Sequence, residues 1–187
     1  MILPIVAYGH PTLKKKAQNI SKDYPNLPEL IDNMWETMYH SNGVGLAAPQ
    51  VNLPIRLFLI DATHYLEDEE NKSDIKAFKK VFINAEIINE EGEEWAFNEG
   101  CLSVPNIRED VFRKPIITIR YYDENFVEHI EKYDGVIARI IQHEYDHLEG
   151  KVFVDRINTL RKVLLKRRLN DITKGLVKID YKMIFPK

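Results

Sequence analysis

Residues 134–150, D-G-V-I-A-R-I-I-Q-H-E-Y-D-H-L-E-G, form the most informative stretch of this 187-residue chain. Asp134 and Gly150 are typical of the start and the end of a helix, so the stretch predicts a helix over about 135–149. Apolar side chains occur on nearly every side of it: Val136, Ile137, Ile140, Ile141, Tyr145 and Leu148. A helix that is apolar nearly all round is buried, and we expect this one at the centre of the protein.

The second half of this helix carries a metal-binding pattern, His143-Glu144-Tyr145-Asp146-His147, which is H-E-x-x-H. Residues i and i+4 share one helix face, so both imidazoles can reach a single metal ion. Glu144 follows His143 directly and can reach a water molecule at the metal without being a ligand. An unpaired carboxylate is costly to bury, and a metal with its water explains why this one is retained. The alternative is two ordinary histidines and a salt-bridged glutamate.

A catalytic metal site needs a third protein ligand and an open position. The residues alone leave two candidates. Asp171 lies downstream, as the acidic third ligand does in one class of zinc peptidases. Cys101 lies upstream within E-G-C-L-S, and although a lone cysteine is more often a small buried hydrophobe, it completes a sensible Cys-His-His site. Gly100 before it permits close approach of the backbone to a bound group.

A third segment, Gly43-Val44-Gly45-Leu46-Ala47-Ala48-Pro49-Gln50, is predicted to be a loop after a helix. The G-x-G pattern alone is weak evidence, since a turn after the helix explains it equally well. Gln50 is of interest because a side-chain amide can donate a hydrogen bond to a developing oxyanion. The backbone N–H of Leu102 can do the same.

The remaining segments indicate an α+β protein. Apolar spacing predicts a helix over 26–41, with Asn26 and Glu29 as a capping box. Strands are predicted at about 55–60, 81–88, 114–122 and 126–131, the last two as a hairpin. Residues 62–79 are polar and charge-mixed and indicate a solvated surface segment. The expected fold has antiparallel strands packed around the buried H-E-x-x-H helix, with a C-terminal helix.

Composition limits the class of protein. The length predicts one domain over 1–187, and 44% apolar with 29% charged residues exclude a disordered or fibrous chain. A single cysteine excludes an intramolecular disulfide and favours a reducing compartment.

We find no signal or transit peptide and no membrane-spanning segment, so we expect a cytoplasmic protein without a membrane partner. The net charge of −3 argues against DNA as a partner.

The C-terminal part differs from the rest in charge. Residues 155–187 carry a net charge of +7, which leaves −10 for the remainder. We predict a helix over about 157–169 with four residues packed on the body: Ile157, Leu160, Val163 and Leu164. Its basic residues can contact ribosomal RNA, and the alternative is a solvated helix face. The pattern after about residue 170 predicts no structure.

Three motifs occur in a definite order: G-x-G-L-A-A-P-Q at 43–50, E-G-C-L-S at 99–103 and Q-H-E-x-D-H at 142–147. With these motifs the chain resembles the peptide deformylases, whereas unrelated H-E-x-x-H proteins lack the first two. The resemblance covers about residues 1–155, including a similar start at Leu3–Gly9. Residues 62–79 and the tail after about 170 depart from the family's pattern.

The resemblance implies a metal-dependent hydrolase of bacterial type. Its substrates are N-formylmethionyl nascent peptides, from which it removes the formyl group as formate. The implied ligands are Cys101, His143 and His147, and the implied cofactor is one Fe(II) ion per chain, with zinc, nickel or cobalt as substitutes. By donor chemistry alone, Cys-His-His suits zinc, and soft ligands also suit Fe(II).

The resemblance also implies roles for four further residues. Glu144 is the general base and acid. Gln50 and the N–H of Leu102 stabilise the oxyanion, and Gly45 offers backbone polar groups to the substrate. These roles agree with the ordinary chemistry of amide hydrolysis at a metal.

Recognition of methionine requires an apolar pocket beside the metal. By motif position we expect four residues in its wall: Val44, Phe97, Val136 and Ile140. Glu99 and Arg139 are expected near its mouth. Arg108 is a candidate contact to the peptide, with a surface salt bridge as the alternative. The alternative for the four wall residues is that they belong to the hydrophobic core and line no pocket.

Two other functions fit parts of the sequence. One is an H-E-x-x-H zinc endopeptidase that uses His143, His147 and Asp171. The other is a non-catalytic module that binds RNA or the ribosome through the basic tail. The intact Glu144 argues against the second, since a pure binding module does not require it.

Overall fold

The computed structural model describes residues 1–63 and 78–186. Its strands are β1 Ile5–Val6, β2 Gly45–Ala47, β3 Leu57–Asp61, β4 Lys79–Glu91, β5 Trp95–Cys101, β6 Val104–Arg113, β7 Ile116–Tyr122, β8 Glu128–Tyr133 and β9 Met183–Ile184. The α-helices are α1 Leu27–His40, α2 Gly135–Leu148 and α3 Thr159–Thr173. Most of the segment expected on the surface, 62–79, lies outside the described residues.

Three sheets organise the described strands. The largest is antiparallel with the order β2-β3-β4-β7-β8, and the hairpin β5–β6 forms a second sheet. In the third, β1 pairs in parallel with β9, so the two ends of the chain meet. This mixture of antiparallel sheets and helices confirms the predicted α+β class.

Helix α2 packs on the inner face of the large sheet. Ala138, Ile141 and Leu148 are fully buried and belong to one apolar cluster with Phe58 and Phe82 of the sheet. Beyond these apolar residues the helix is also buried, and apart from Ile140 its other buried residues are polar: Arg139, Gln142, Glu144, Asp146 and His147. Buried polar groups need partners, so these residues mark the place of a site.

Several sequence-based boundaries need correction. The capping box at Asn26 is wrong, because Asn26 adopts a left-handed backbone (φ 54°) and its side chain makes no capping hydrogen bond. Part of the predicted loop 43–50 is strand β2, paired with β3, followed by a 3-10 helix over Ala48–Val51. The four predicted strands are present with shifted ends.

The hairpin β5–β6 was not predicted, and its burial pattern explains why. Along β6 every second residue is buried, which is the period of a strand with one covered face. Two of those buried residues are charged, Glu109 and Arg113, while Phe112 is 59% exposed. The sequence of β6 therefore does not show the alternation of apolar and polar residues that predicts a strand.

Helix α3 presents a different face to the body from the one predicted. Leu160, Val163 and Leu164 are 69%, 62% and 63% exposed, so their predicted packing is wrong, while Ile157 before the helix is buried. The helix packs instead through three buried residues: Leu165, Leu169 and Ile172. These residues also have helical spacing, so the sequence of α3 contains two apolar stripes. The stripe formed by Leu165, Leu169 and Ile172 is the buried one.

No described helix, within residues 1–63 and 78–186, has the length and apolar character needed to cross a bilayer.

Candidate metal centre

Three potential metal ligands converge where the hairpin β5–β6 meets helix α2. One ligand atom each from Cys101, His143 and His147 lies within 4.8 Å of the others. Cys101 ends strand β5, and its Sγ is 3.4 Å from Nε2 of His147. The two histidines stand one turn apart on α2, as the i, i+4 spacing predicts. Asp171, the alternative third ligand, lies on α3 and is not part of this group.

Glu99 fixes the orientation of His143. Its Oε2 lies 2.9 Å from Nδ1 of that ring, which leaves Nε2 for a metal ion. Arg113 holds the carboxylate through two hydrogen bonds, Nε to Oε1 at 2.7 Å and a second nitrogen to Oε2 at 2.9 Å. Arg139 adds a third at 3.2 Å. These hydrogen bonds fix the orientation of the His143 ring.

Arg113 also links the site to a second buried acid, Asp146. Arg113 donates to Asp146 at 2.7 Å, and Arg156 also donates to that carboxylate, at 2.6 Å. Sequence reasoning missed all three residues. The available signal was Asp146 itself, a charged residue inside the most apolar helix of the chain, since a buried carboxylate there requires a basic partner.

The electrostatics of the site suit a metal with a thiolate ligand. Burial alone would raise the pKa of Cys101, but the neighbouring His147 and His143 lower it to about 5. Burial raises the pKa of Glu144 to about 7. Two fully covered atoms, Oε2 of Glu144 and Nδ1 of His147, have no hydrogen-bond partner among the residues the structure describes. A thiolate, two imidazoles and a spare carboxylate oxygen together fit a divalent metal such as zinc or Fe(II).

The contact between Gly45 and Glu144 explains why the second residue of the G-x-G pair is a glycine. A Cβ atom at this position would lie 2.8 Å from both Cγ and Cδ of Glu144, closer than real Cβ contacts occur. The Glu144 side chain thus lies directly on the Gly45 backbone. At Gly43, a Cβ atom would lie 2.9 Å from Cδ1 of Leu102. The stronger requirement is at Gly45, where the absence of a Cβ atom permits the close approach of Glu144.

Gln50 is held with its amide nitrogen toward the ligands. Its Oε1 accepts a hydrogen bond from the N–H of Ala47 at 2.8 Å. Its Nε2 is then 3.5 Å from the Cys101 Sγ and 3.4 Å from the Ser103 Oγ. Leu102 lies between these two residues, in the turn that joins β5 to β6. Gln50 and Leu102, the two residues considered for oxyanion donors, therefore line the same cleft.

A cleft of about 670 Å³ opens onto the ligands. It brings together every residue proposed from the sequence for the site except the buried ligand His147: Val44, Gly45, Gln50, Phe97, Glu99, Cys101, Leu102, Arg108, Val136, Arg139, Ile140, His143 and Glu144. Residues 178–181 also line it, and no pattern in the sequence pointed to them. Apolar and polar walls meet at the metal ligands, as a site for an apolar side chain next to a reacting amide requires.

Two of the expected residues lie differently from the expectation. Glu99 and Arg139 are 4% and 1% exposed and are bound to each other, so they are buried beside the cleft and not at its mouth. Arg108 makes no salt bridge among the described residues. It donates to the side chain and the backbone oxygen of Asn98, at 2.9 and 2.6 Å, and crosses Gly100, where a Cβ atom would meet it at 2.8 Å.

Comparison with known proteins gives an independent test of these observations. The family model described as Polypeptide deformylase matches residues 2–163. The chain is 59% identical over 190 residues to the peptide deformylase of Christiangramia forsetii, covering 100% of this chain and 97% of the relative. It is 57% identical over 189 residues to that of Flavobacterium johnsoniae, covering 99% and 96%.

The fold gives the same result. The chain is similar to a crystal structure of a peptide deformylase from Legionella pneumophila, with a TM-score of 0.81 and 32% identity over 96% of this chain and 100% of that one. The resemblance inferred from three short motifs is thus confirmed. The chain belongs to the polypeptide deformylase family, metalloenzymes that remove the formyl group from the N-terminal methionine of newly made polypeptides.

Proposed function

We propose that Cys101, His143 and His147 hold one Fe(II) ion in this enzyme, with zinc, nickel or cobalt as substitutes. The observation that carries the proposal is the convergence of three ligand atoms beside a buried carboxylate oxygen without a partner among the described residues. When bound, the ion supplies a Lewis acid and lowers the pKa of a water ligand. Metal analysis of protein purified with and without oxygen tests the choice of metal. Iron confined to the anaerobic preparation supports Fe(II), and zinc in both, at equal activity, contradicts it.

Glu144 is the proton carrier of this proposal. Its carboxylate accepts a proton from the attacking water and delivers it to the amide nitrogen as the bond from the formyl carbon to nitrogen breaks. The products are formate and a free α-amino group. The support is geometric, because the side chain is fixed against Gly45 in a cleft that it shares with Cys101. Such acid–base catalysis typically contributes about 10²–10⁴ in rate.

Two donors stabilise the negative charge that develops on the formyl oxygen. One is Nε2 of Gln50, which the Ala47 N–H orients through the opposite end of the amide. The other is the backbone N–H of Leu102. Removing one such donor typically lowers kcat by about 10²–10³. Gly45, which also lines the cleft, offers its backbone to the substrate peptide.

The methionine side chain occupies the apolar part of the cleft. Its wall is built from Val44, Phe97, Val136 and Ile140. Arg108 lies along the same cleft and contacts the peptide that continues from the methionine. Glu99 and Arg139 act indirectly: both are buried, and Glu99 orients the ligand His143.

The substrate is a nascent chain, so we also propose the cytoplasm as the place of action and the ribosome as a partner. The support is helix α3, where Lys166 and Arg167 are exposed on a basic C-terminal region of an otherwise acidic chain. Polyanionic RNA attracts such a surface at low salt. Arg161 forms a salt bridge with Glu109 at 2.6 Å, so its charge is neutralised and it does not belong to this basic surface.

One assay tests the proposed chemistry as a whole. Formate release from formyl-Met-Ala-Ser is measured with metal-loaded wild type and with Gln50→Ala and Glu144→Gln at equal metal content. The proposal expects rapid release by the wild type and a large loss of kcat in both variants. A variant that matches the wild type loses its assigned role.

A further inference from the structure

The C-terminal segment 178–181 lines the catalytic cleft although it lies beyond residues 2–163, the part of the chain that matches the family model. Two contacts secure it. After it, the N–H of Ile5 donates to the Lys182 oxygen at 2.9 Å, next to the β1–β9 pairing. At its start, Nδ2 of Asn106 donates to the Lys178 oxygen at 3.2 Å. This segment is thus a fixed part of the cleft wall.

Tyr181 joins this segment to the turn that carries Cys101. Its hydroxyl donates a hydrogen bond of 2.7 Å to the backbone oxygen of Leu102. The side chains of Tyr181 and Leu102 also pack against the same apolar cluster. A tyrosine hydroxyl is protonated at neutral pH, so this donor is present under working conditions.

The turn is short and held at three points. Cys101 and Val104 are paired, so Leu102 and Ser103 form its two central residues. The Ser103 oxygen accepts from the N–H of Tyr8 at 2.7 Å, and its Oγ accepts from Gln50 at 3.4 Å. Among the described residues, Tyr181 is the donor to the remaining carbonyl, that of Leu102. Without it, that carbonyl and the peptide groups next to it are free to reorient.

We propose that Tyr181 is a positioning residue for the reaction: by holding the Leu102 carbonyl, it fixes the turn so that the Leu102 N–H points at the developing oxyanion. This inference rests on the role proposed above for that N–H. An oxyanion donor acts through its fixed direction, so a freely moving turn lowers the rate of the chemical step more than the binding of substrate.

Tyr181→Phe tests the inference because it removes only the hydroxyl and keeps the ring in the cleft wall. We expect full metal content, a Tm lowered by about 4 °C at most, a KM for formyl-Met-Ala-Ser within about twofold, and kcat lowered about five- to tenfold, as for the loss of one neutral hydrogen bond. Tyr122→Phe is the matched control. Its hydroxyl donates to Glu128 at 3.2 Å outside the cleft, and kcat should not change.

Two results overturn the inference. One is an unchanged kcat in Tyr181→Phe. The other is a loss of kcat accompanied by a loss of metal, or by a fall in Tm well beyond about 4 °C, which indicates a merely structural role. Tyr181→Leu, which also removes the ring, measures how much Tm such a role would cost.

A backbone variant separates this inference from the function on which it rests. Replacing Leu102 by its α-hydroxy acid removes the N–H and leaves the side chain. If that ester lowers kcat, Tyr181→Phe in the ester background should cause little further loss. If the ester lowers kcat but Tyr181→Phe does not, the positioning role alone is wrong. If the ester has no effect, the proposed role of the Leu102 N–H is wrong.

Discussion

The side chain of Glu144 lies directly on the backbone of Gly45, where an added Cβ atom would come within 2.8 Å of the carboxylate carbon. Strand β2 and helix α2 are therefore fitted to each other at the point where the proposed proton carrier sits. The second glycine of the G-x-G motif is therefore required for the placement of Glu144, and this requirement does not involve flexibility of the loop.

Gly45→Ala should lower kcat by about 10²-fold without removing the metal. The new methyl group displaces the Glu144 carboxylate, and a displacement on the order of 1 Å can cost about 10²-fold in rate. The three ligands are untouched, so metal content should equal that of the wild type. Metal analysis and kcat for formyl-Met-Ala-Ser, measured on the same preparation, check this.

Gly135→Ala is the matched control for that variant. A methyl group there meets no atom within 4 Å, although the φ of +54° makes the substitution strained. It should lower Tm and keep kcat. Wild-type kcat in Gly45→Ala would show that Glu144 tolerates displacement and would contradict the account of the motif.

The acid sensitivity of the fold should depend on Glu131, which does not line the cleft at the metal ligands. Burial alone would raise the pKa of Glu131, but hydrogen bonds from Lys80, Tyr121 and Tyr133 lower it from 4.5 to about 2. A depressed folded-state pKa contributes stability that is complete above the unfolded value and is lost as the pH falls from about 4.5 toward 2.

Glu131→Gln should therefore be less stable than the wild type at pH 7 and nearly equal to it near pH 2. Urea unfolding midpoints across this pH range measure the difference. Glu124→Gln, at an exposed position in the β7–β8 turn, should follow the wild-type curve. A constant difference between Glu131→Gln and the wild type at all pH values would contradict the assigned pKa shift.

Hydroxamates with an n-butyl-like side chain should inhibit strongly. The hydroxamate would chelate the metal and occupy the place of the formyl group, while the chain would fill the pocket between Phe97 and Ile140. Each methylene removed from the chain should cost about 0.8 kcal/mol, or about fourfold in Ki, if the pocket is dry. Inhibition that does not depend on chain length would show that the assigned wall is not the methionine pocket.

Ribosome binding should depend on the exposed basic residues of helix α3. Replacing both Lys166 and Arg167 by Gln removes two exposed charges and leaves the buried residues Leu165 and Leu169 in place. Turnover of the formylated tripeptide should not change, while cosedimentation with ribosomes should weaken, most clearly at low salt. Equal cosedimentation of variant and wild type at low salt would mean that this face is only solvated.

Local spacing was enough to predict part of the site and not the rest. His143 and His147 lie on one helix, where their common face follows from the residue count alone. Cys101 lies on a strand, β5, and the residues alone left Asp171 as a rival until the motifs were taken together. In the fold, β5 lies against α2 and groups Cys101 with the two histidines, and this grouping supports the proposed ligand set.

The missed features have three separate physical causes. Strand β6 was hidden because Glu109 and Arg113 occupy buried positions. The covered face of α3 was ambiguous because a second apolar stripe remains exposed at Leu160 and Val163. Tyr181 reaches the cleft through pairing of the last strand with the first, a contact that sequence periodicity does not report.

The most direct test of the central claim is kcat of Glu144→Gln at full metal load. The carboxamide has nearly the same shape and leaves Cys101, His143 and His147 untouched, but it cannot accept the proton of the attacking water. We predict wild-type metal content with formate release from formyl-Met-Ala-Ser lowered by about 10²–10⁴. Turnover equal to that of the wild type in a fully metal-loaded preparation would contradict the account.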